Sequence, residues 1–301
     1  MRSSNLRLAS IALLALAVSR ESLVGVAQAP ITPRIAVAPQ YDSIHVYVAP
    51  ENVDAFVTAF LGTFGGQSSK QAVVTVTPTP SSTTSQILQT PVGMVSLFGF
   101  KTPIPYPFGA ERTGLLVTNL DEAIQAARQV GADLLVEPFP DAIGRDAVIQ
   151  FPGGVNTQLY WHTTAPSYPE LQTVPENRVY ISPWRLADFL KSYVTFSHGK
   201  IASSDSHAPG VEVGRPSETV WRIRIESQFG KLAVFVSDGH MPYPYGRETT
   251  GFEVANLAET LAKAKGLGVK VLVDPYKAGD RTAAMVEFPG GYIAEIHEVA
   301  R

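Results

Sequence analysis

The chain of 301 residues contains no cysteine. That excludes disulfides, thiolate nucleophiles and thiolate metal sites, and leaves packing as the source of stability. Charge is sparse as well: charged residues make up 17% of the chain, and no basic run occurs. Nucleic acid is therefore not an expected partner. Long hydrophobic runs are missing too. The longest, Leu8 to Val18, is broken by Ser10 and falls short of the roughly 20 residues that a membrane-spanning helix needs. No membrane partner is expected once the leader is removed.

What the N-terminus does have is the pattern of a secretory signal. Arg2 and Arg7 precede the apolar run, and small residues follow at Gly25, Ala27 and Ala29. Cleavage after Ala27 is expected, giving a periplasmic or secreted protein; an uncleaved anchor or a disordered tail is the alternative. Removing residues 1–27 leaves 21 basic and 26 acidic side chains, a net charge of about −5. The rest is long enough for two cores of ordinary size.

The remainder is written twice. Pro105 to Trp161 aligns with Pro242 to Glu298 without a gap at an offset of 137, with 21 of 57 positions identical. Shared stretches are P-Y-P-x-G-x-E-x-T-G, V-x-N-L-x-E and F-P-G-G. A weaker match at an offset of 133 pairs Tyr47 with Tyr180, Pro50 with Pro183 and Phe56 with Phe189. A repeat of this length fits a duplicated domain better than a solenoid.

Periodicity reads the same way in each half. Ser43 to Val48 is a short strand, and Asn52 to Phe64 places Val53, Phe56, Val57, Phe60 and Leu61 on one helical face. Strands follow at Ala72 to Thr77, Ile87 to Gln89 and Gly93 to Phe100. After a Pro-rich loop come a strand at Gly114 to Val117, a helix at Asp121 to Val130 with Asn119 as N-cap, and strands at 133–137, 146–151 and 157–162. Pro166 to Pro175 reads as a linker. The second half repeats the order, with Val211 to Ile225 assigned to its sheet. The expectation is an α+β chain of four β-α-β-β-β modules, with domains at 41–165 and 176–301. Strands outnumber helices and no G-x-G-x-x-G opens a helix, which argues for curved, mostly antiparallel sheets.

The segment Thr250 to Tyr276, continued by Arg281 to Glu298, resembles the second module of a vicinal oxygen chelate protein; Ile44 to Val48 resembles the opening of a first module. This superfamily includes glyoxalase I, bleomycin-resistance proteins, fosfomycin-resistance enzymes and extradiol dioxygenases. The resemblance implies two modules per domain wrapped around a cleft. It also implies a divalent metal, where present, on the first strand of each module and a Glu on the last strand. Those positions fall on His45, Glu111 or Arg112, and Gln158 in the first half. In the second they fall on Arg178, Glu248 or Thr249, and Glu295.

A divalent site needs about three converging O or N ligands. The first half offers His45, Gln158 and Glu111, so a metal there stays open; His45 as a half-buried strand histidine is the alternative. Arg178 cannot bind a cation, so no metal is expected in the second half and no cofactor overall. Glu111 and Glu248 have two readings: loop caps paired with Arg112 or Arg247, or cleft carboxylates acting as general base or anchor. Gln158, Tyr160 and His162 share one strand face, as do Glu295 and His297. With Arg178 and the loop residues Tyr106 and Tyr243 they make the candidate binding set. The expected function is an exported protein that binds a small molecule in a cleft without the metal. The alternative is a metal-dependent lyase, isomerase or dioxygenase with its site in the first half.

Overall fold

The computed structural model describes residues 34–300, so the expected leader at 1–27 lies outside the described residues. Each half builds one curved mixed sheet. In the first, β1 (Ser43–Val48), α1 (Val53–Phe64), β2 (Gln67–Ser68), β3 (Ala72–Val74), β4 (Thr83–Thr90) and β5 (Gly93–Phe100) form one module. The next is β6 (Thr113–Leu116), α2 (Leu120–Gln129), β7 (Asp133–Pro140), β8 (Gly144–Phe151) and β9 (Val155–His162). The strand order is β2-β4-β5-β1-β6-β9-β8-β7, with β3 also on β4. The two modules therefore join through their first strands, β1 antiparallel to β6.

The second half repeats this with β10 (Glu176–Ile181), α3 (Leu186–Phe196), β11 (Lys200–Pro209), β12 (Thr219–Ser227) and β13 (Gly230–Val236). Then come β14 (Thr249–Glu253), α4 (Leu257–Gly266), β15 (Lys270–Ala278), β16 (Arg281–Phe288) and β17 (Tyr292–Val299). Its order, β11-β12-β13-β10-β14-β17-β16-β15, is the same. Four β-α-β-β-β modules thus stand as two tandem glyoxalase-like sheets. Among the described residues no helix is long and apolar enough to cross a membrane.

Strand alternation sorts the side chains. On β1, Ile44, Val46 and Val48 face the apolar core, while Ser43, His45 and Tyr47 face the cleft. On β17, Ala294 and Ile296 enter the core and leave Glu295 and His297 on the other face. Asn119 caps α2 by accepting from Asp121 N and Glu122 N at 3.0 and 3.2 Å, which satisfies two donors the helix itself cannot.

Several details differ from the sequence reading: the strand expected at Ala72 to Thr77 ends at Val74, and the one expected at Ile87 to Gln89 spans Thr83–Thr90. Val211 belongs to a 3-10 turn, Gly210–Val213, and β12 begins only at Thr219. The edge strand β11, of sequence KIASSDSHAP, has little intrinsic strand preference; its pairing with β12 creates it.

The two main cores are shared between halves. One joins Phe56 and Phe60 of α1 to Phe252, Leu257, Leu261 and Phe288. The other joins Leu120, Ala123 and Phe151 to Phe189, Phe196 and Ile225. The helices meet between the sheets, α1 against α4 and α2 against α3, and α1 and α3 also reach β16 and β8 of the opposite half. The strands of the two sheets run from Ser43 to His162 and from Glu176 to Val299, and neither half encloses its main core alone.

Candidate functional site

Strand register makes the two clefts comparable position by position. Ser43 pairs with Met94 and Gly114, as Glu176 pairs with Lys231 and Gly251. His45 and Arg178 occupy the next inward position, followed by Tyr47 and Tyr180. Ser85 and Ile87 correspond to Arg222 and Arg224. From the repeat, Phe139, Gly144, Asp146, Gln158 and Tyr160 correspond to Tyr276, Arg281, Ala283, Glu295 and His297.

The second cleft is filled. Arg178 is 1% exposed. It donates Nη1 to Glu295 Oε1 at 3.1 Å and Nη2 to the carbonyl of Glu212 at 3.1 Å. Its guanidinium lies 4.7 Å from the centre of the Phe235 ring. Glu295 Oε2 is 2.7 Å from His297 Nδ1. Arg281 clasps Glu176 with two bonds of 2.7 and 2.9 Å, and Arg222 bonds the Glu212 carboxylate. Arg224 Nε stands 3.4 Å from Glu176 Oε2 without hydrogen-bond alignment. The turn Gly210–Val213 supplies Glu212 from above, so the protein's own loop occupies the cleft.

Electrostatics follow. Burial alone would raise the Glu176 carboxyl, but Arg281 outweighs it and holds the group at about 2. Burial likewise opposes ionisation of Glu295, and Arg178 with His297 outweighs it. For Glu212 burial wins over the surrounding arginines, and its carboxyl is raised.

The first cleft is open. A cavity of about 290 Å³ is lined by Ser43, His45, Tyr47, Met94, Ser96 and Phe98, with Phe108, Asp146, Gln158, Tyr160, His162 and Tyr168. The loop matching the second cleft's plug runs along its side through Thr75 and Val76. Gln158 Nε2 donates to Asp146 Oδ2 at 2.8 Å. Burial, reinforced by the charge of Asp141, pushes the Asp146 carboxyl well up despite that bond. His45 is 2% exposed and Glu111 fully buried. His45 Nδ1 is 3.4 Å from Glu111 Oε1, and Nε2 is 3.0 Å from Ser43 Oγ. Tyr47 donates its hydroxyl to the same Glu111 Oε1, while Oε2 has no partner among the described residues. Tyr160 bonds the Tyr41 carbonyl.

The sequence-derived residues are thus only partly brought together. His45, Glu111, Gln158 and Tyr160 belong to the first cleft, and Arg178, Glu295 and His297 form one buried cluster. Glu248 is outside that cluster: Arg178 pairs with Glu295 instead. Burial pushes the Glu248 carboxyl up to about 8, with Arg112 opposing and Glu111 adding to the rise. Tyr106 and Tyr243 are 74% and 61% exposed; neither faces a cleft. Tyr243 bonds Glu287 at 3.1 Å, and the ring that enters from the first loop is Phe108.

Sequence reasoning passed over Ser43, Asp146, Glu176, Glu212, Arg222, Arg224 and Arg281. The alternation V-x-R-x-R-x-E from Val220 was a usable signal, since it puts two arginines on one strand face. So was Arg281, a charge where the first copy has Gly144.

The donor set does not fit the family metal. Among the described residues no group of three His, Asp or Glu side chains is placed to hold an ion. In the first cleft both ring nitrogens of His45 have protein partners, and Gln158 is committed to Asp146. In the second a guanidinium takes the ligand's place.

Neither a family model nor any curated protein sequence matches the chain. Solved structures do. A mutant of 4-hydroxymandelate synthase from Streptomyces coelicolor is 13% identical over 90% of this chain and 94% of its own, with a TM-score of 0.58. A fusion of a xylose isomerase-like TIM barrel with 4-hydroxyphenylpyruvate dioxygenase is 14% identical, with a TM-score of 0.55 over 89% of this chain and 50% of its own length. The Mn(II)-bound glyoxalase from Novosphingobium aromaticivorans is 14% identical over 88% and 82%, with a TM-score of 0.52. At such identity the likeness is one of fold, and the fold is that of the vicinal oxygen chelate superfamily.

Proposed function

We propose that this is an exported glyoxalase- or bleomycin-resistance-like protein whose first cleft binds a small, uncharged organic molecule without a divalent metal. One observation carries the reading. The same fold positions hold Ser85, Ile87, Ser96 and Asp146 around a cavity of about 290 Å³ in the first half, and Arg222, Arg224, Ala233 and Ala283 in the filled second half. Aromatic walls with a few fixed polar groups are what small-molecule sites use. Tyr47, Phe98, Phe108, Tyr160 and Tyr168 supply the walls; Gln158 and Asp146 supply the polar end.

The metal-dependent alternative rests on His45 and Glu111 alone, one ligand short of a working site. Ligand-observed NMR with indole and 2-naphthol tests the proposal. Binding to the wild type should vanish in Ser96→Trp, which fills the cavity, and persist in Arg178→Met. Binding that survives Ser96→Trp would remove the first cleft as the site.

A further inference from the structure

Ser43, His45 and Glu111 form a continuous relay in the wall of the first cleft, and small-molecule binding alone gives it no role. Ser43 Oγ is 3.0 Å from His45 Nε2, and His45 Nδ1 is 3.4 Å from Glu111 Oε1. Tyr47 holds the same carboxylate oxygen from a second direction. Each of the three residues is at least 97% buried against bulk solvent, yet Ser43 and His45 line the cavity. Ser43 and His45 are two apart on β1 and so share a face. The approach depends on Gly114: a Cβ there would lie 2.5 Å from His45 Nε2 and 2.7 Å from Ser43 Oγ. The architecture does not demand this trio. The second half keeps the same strand order with Glu176 and Arg178 at the first two positions, and there Glu248 stays out of the cluster.

A hydroxyl, an imidazole and a carboxylate in this order are the parts of an activated nucleophile. We propose that Ser43 is a nucleophile, His45 its base and Glu111 the group that orients the imidazole, and that the first cleft transfers acyl groups from small uncharged esters. The proposal rests on the first cleft being the ligand site and adds a reaction to it. With its proton on Nδ1 toward Glu111, His45 presents Nε2 as the acceptor. Ser43 Oγ bonds to the acyl carbon as its proton passes to Nε2. The bond to the leaving alkoxide breaks, and that oxygen takes the proton back from Nε2. Water then repeats the sequence, releasing the acid and restoring Ser43. Ser96, opposite His45 on β5 and lining the same cavity, offers a hydroxyl to the developing oxyanion. No metal enters the step.

The test treats the full chain with a fluorophosphonate probe, which marks activated serines, and with p-nitrophenyl acetate. Intact mass should show one adduct per chain, mapped to the peptide containing Ser43. Ser43→Ala should abolish it. His45→Gln should slow it at least about 100-fold, the usual contribution of a positioned base, and Glu111→Gln should slow it while leaving indole binding intact. No Ser43 adduct on wild type that binds indole would refute the nucleophile and leave the cleft reading standing. Neither adduct nor indole binding would refute both. Labelling of Ser43 at an unchanged rate in His45→Gln would also overturn the relay.

Discussion

Val48 of the first module packs on Gly290 of the last: a Cβ at Gly290 would lie 2.5 Å from Val48 Cγ1. Gly153 meets Ile181 in the equivalent way, at 3.1 Å. Val48 and Ile181 are counterparts in the repeat, as are Gly153 and Gly290. The F-P-G-G turn of each half thus seats on the first module of the other, and a local two-fold relates the halves.

This exchange makes the halves one cooperative unit. Phe60 contacts both Phe252 and Phe288 across it, at ring separations of 5.6 and 5.2 Å. Phe60→Ala should cost about 3–5 kcal/mol, the usual range for a buried Phe. Denaturant unfolding should remain a single transition by both tryptophan fluorescence and circular dichroism. Two separated transitions would show that the halves are independent.

The Arg178–Glu295 bridge should obey the asymmetry of buried ion pairs. Arg178→Ala leaves Glu295 and the Glu212 carbonyl without their donor and should cost about 3–5 kcal/mol. Arg178→Met combined with Glu295→Gln removes both charges and keeps packing, and should cost much less. Equal losses in the single and double variants would count against this.

Glu176 sets an acid limit. Its folded pKa, about 2, lies below the ordinary 4.5, so its contribution is complete above about 4.5 and is lost as pH falls toward 2. The loss amounts to about 3 kcal/mol by linkage. In Glu176→Gln the drop in stability between pH 5 and pH 2 should be smaller than in wild type by about that amount.

Glu248 acts in the opposite sense. Its pKa is pushed up to about 8, so the neutral form is favoured when folded. That contribution is complete below about 4.5 and is lost as pH rises through 8. Glu248→Gln should therefore stabilise the protein relative to wild type by about 4–5 kcal/mol at pH 8.5, by the same linkage, and by little at pH 4. Denaturant midpoints at the two pH values decide it.

Much of the fold was legible because the repeat doubled every signal: Gly93 to Phe100 and Asn119 as helix cap appear where periodicity puts them. Edge strand β11 was not, because only its partner strand makes it a strand. Within the site, single residues of the family pattern, His45, Gln158, Arg178 and Glu295, were readable. Their environments were not. That Glu212 reaches back from a loop to fill one cleft depends on chain path, which no local pattern encodes. The relay through Ser43 depends on a two-residue strand spacing and on the missing side chain at Gly114.

The central claim is that one cleft receives ligand while its copy is sealed by its own side chains. Crystals soaked with 4-bromoindole, with anomalous data collected at the bromine edge, test it most directly. The account predicts a bromine peak within the first cleft, bounded by Met94, Phe98 and Gln158, and none beside Arg178. A peak beside Arg178, or an empty first cleft at concentrations that saturate binding in solution, would contradict it.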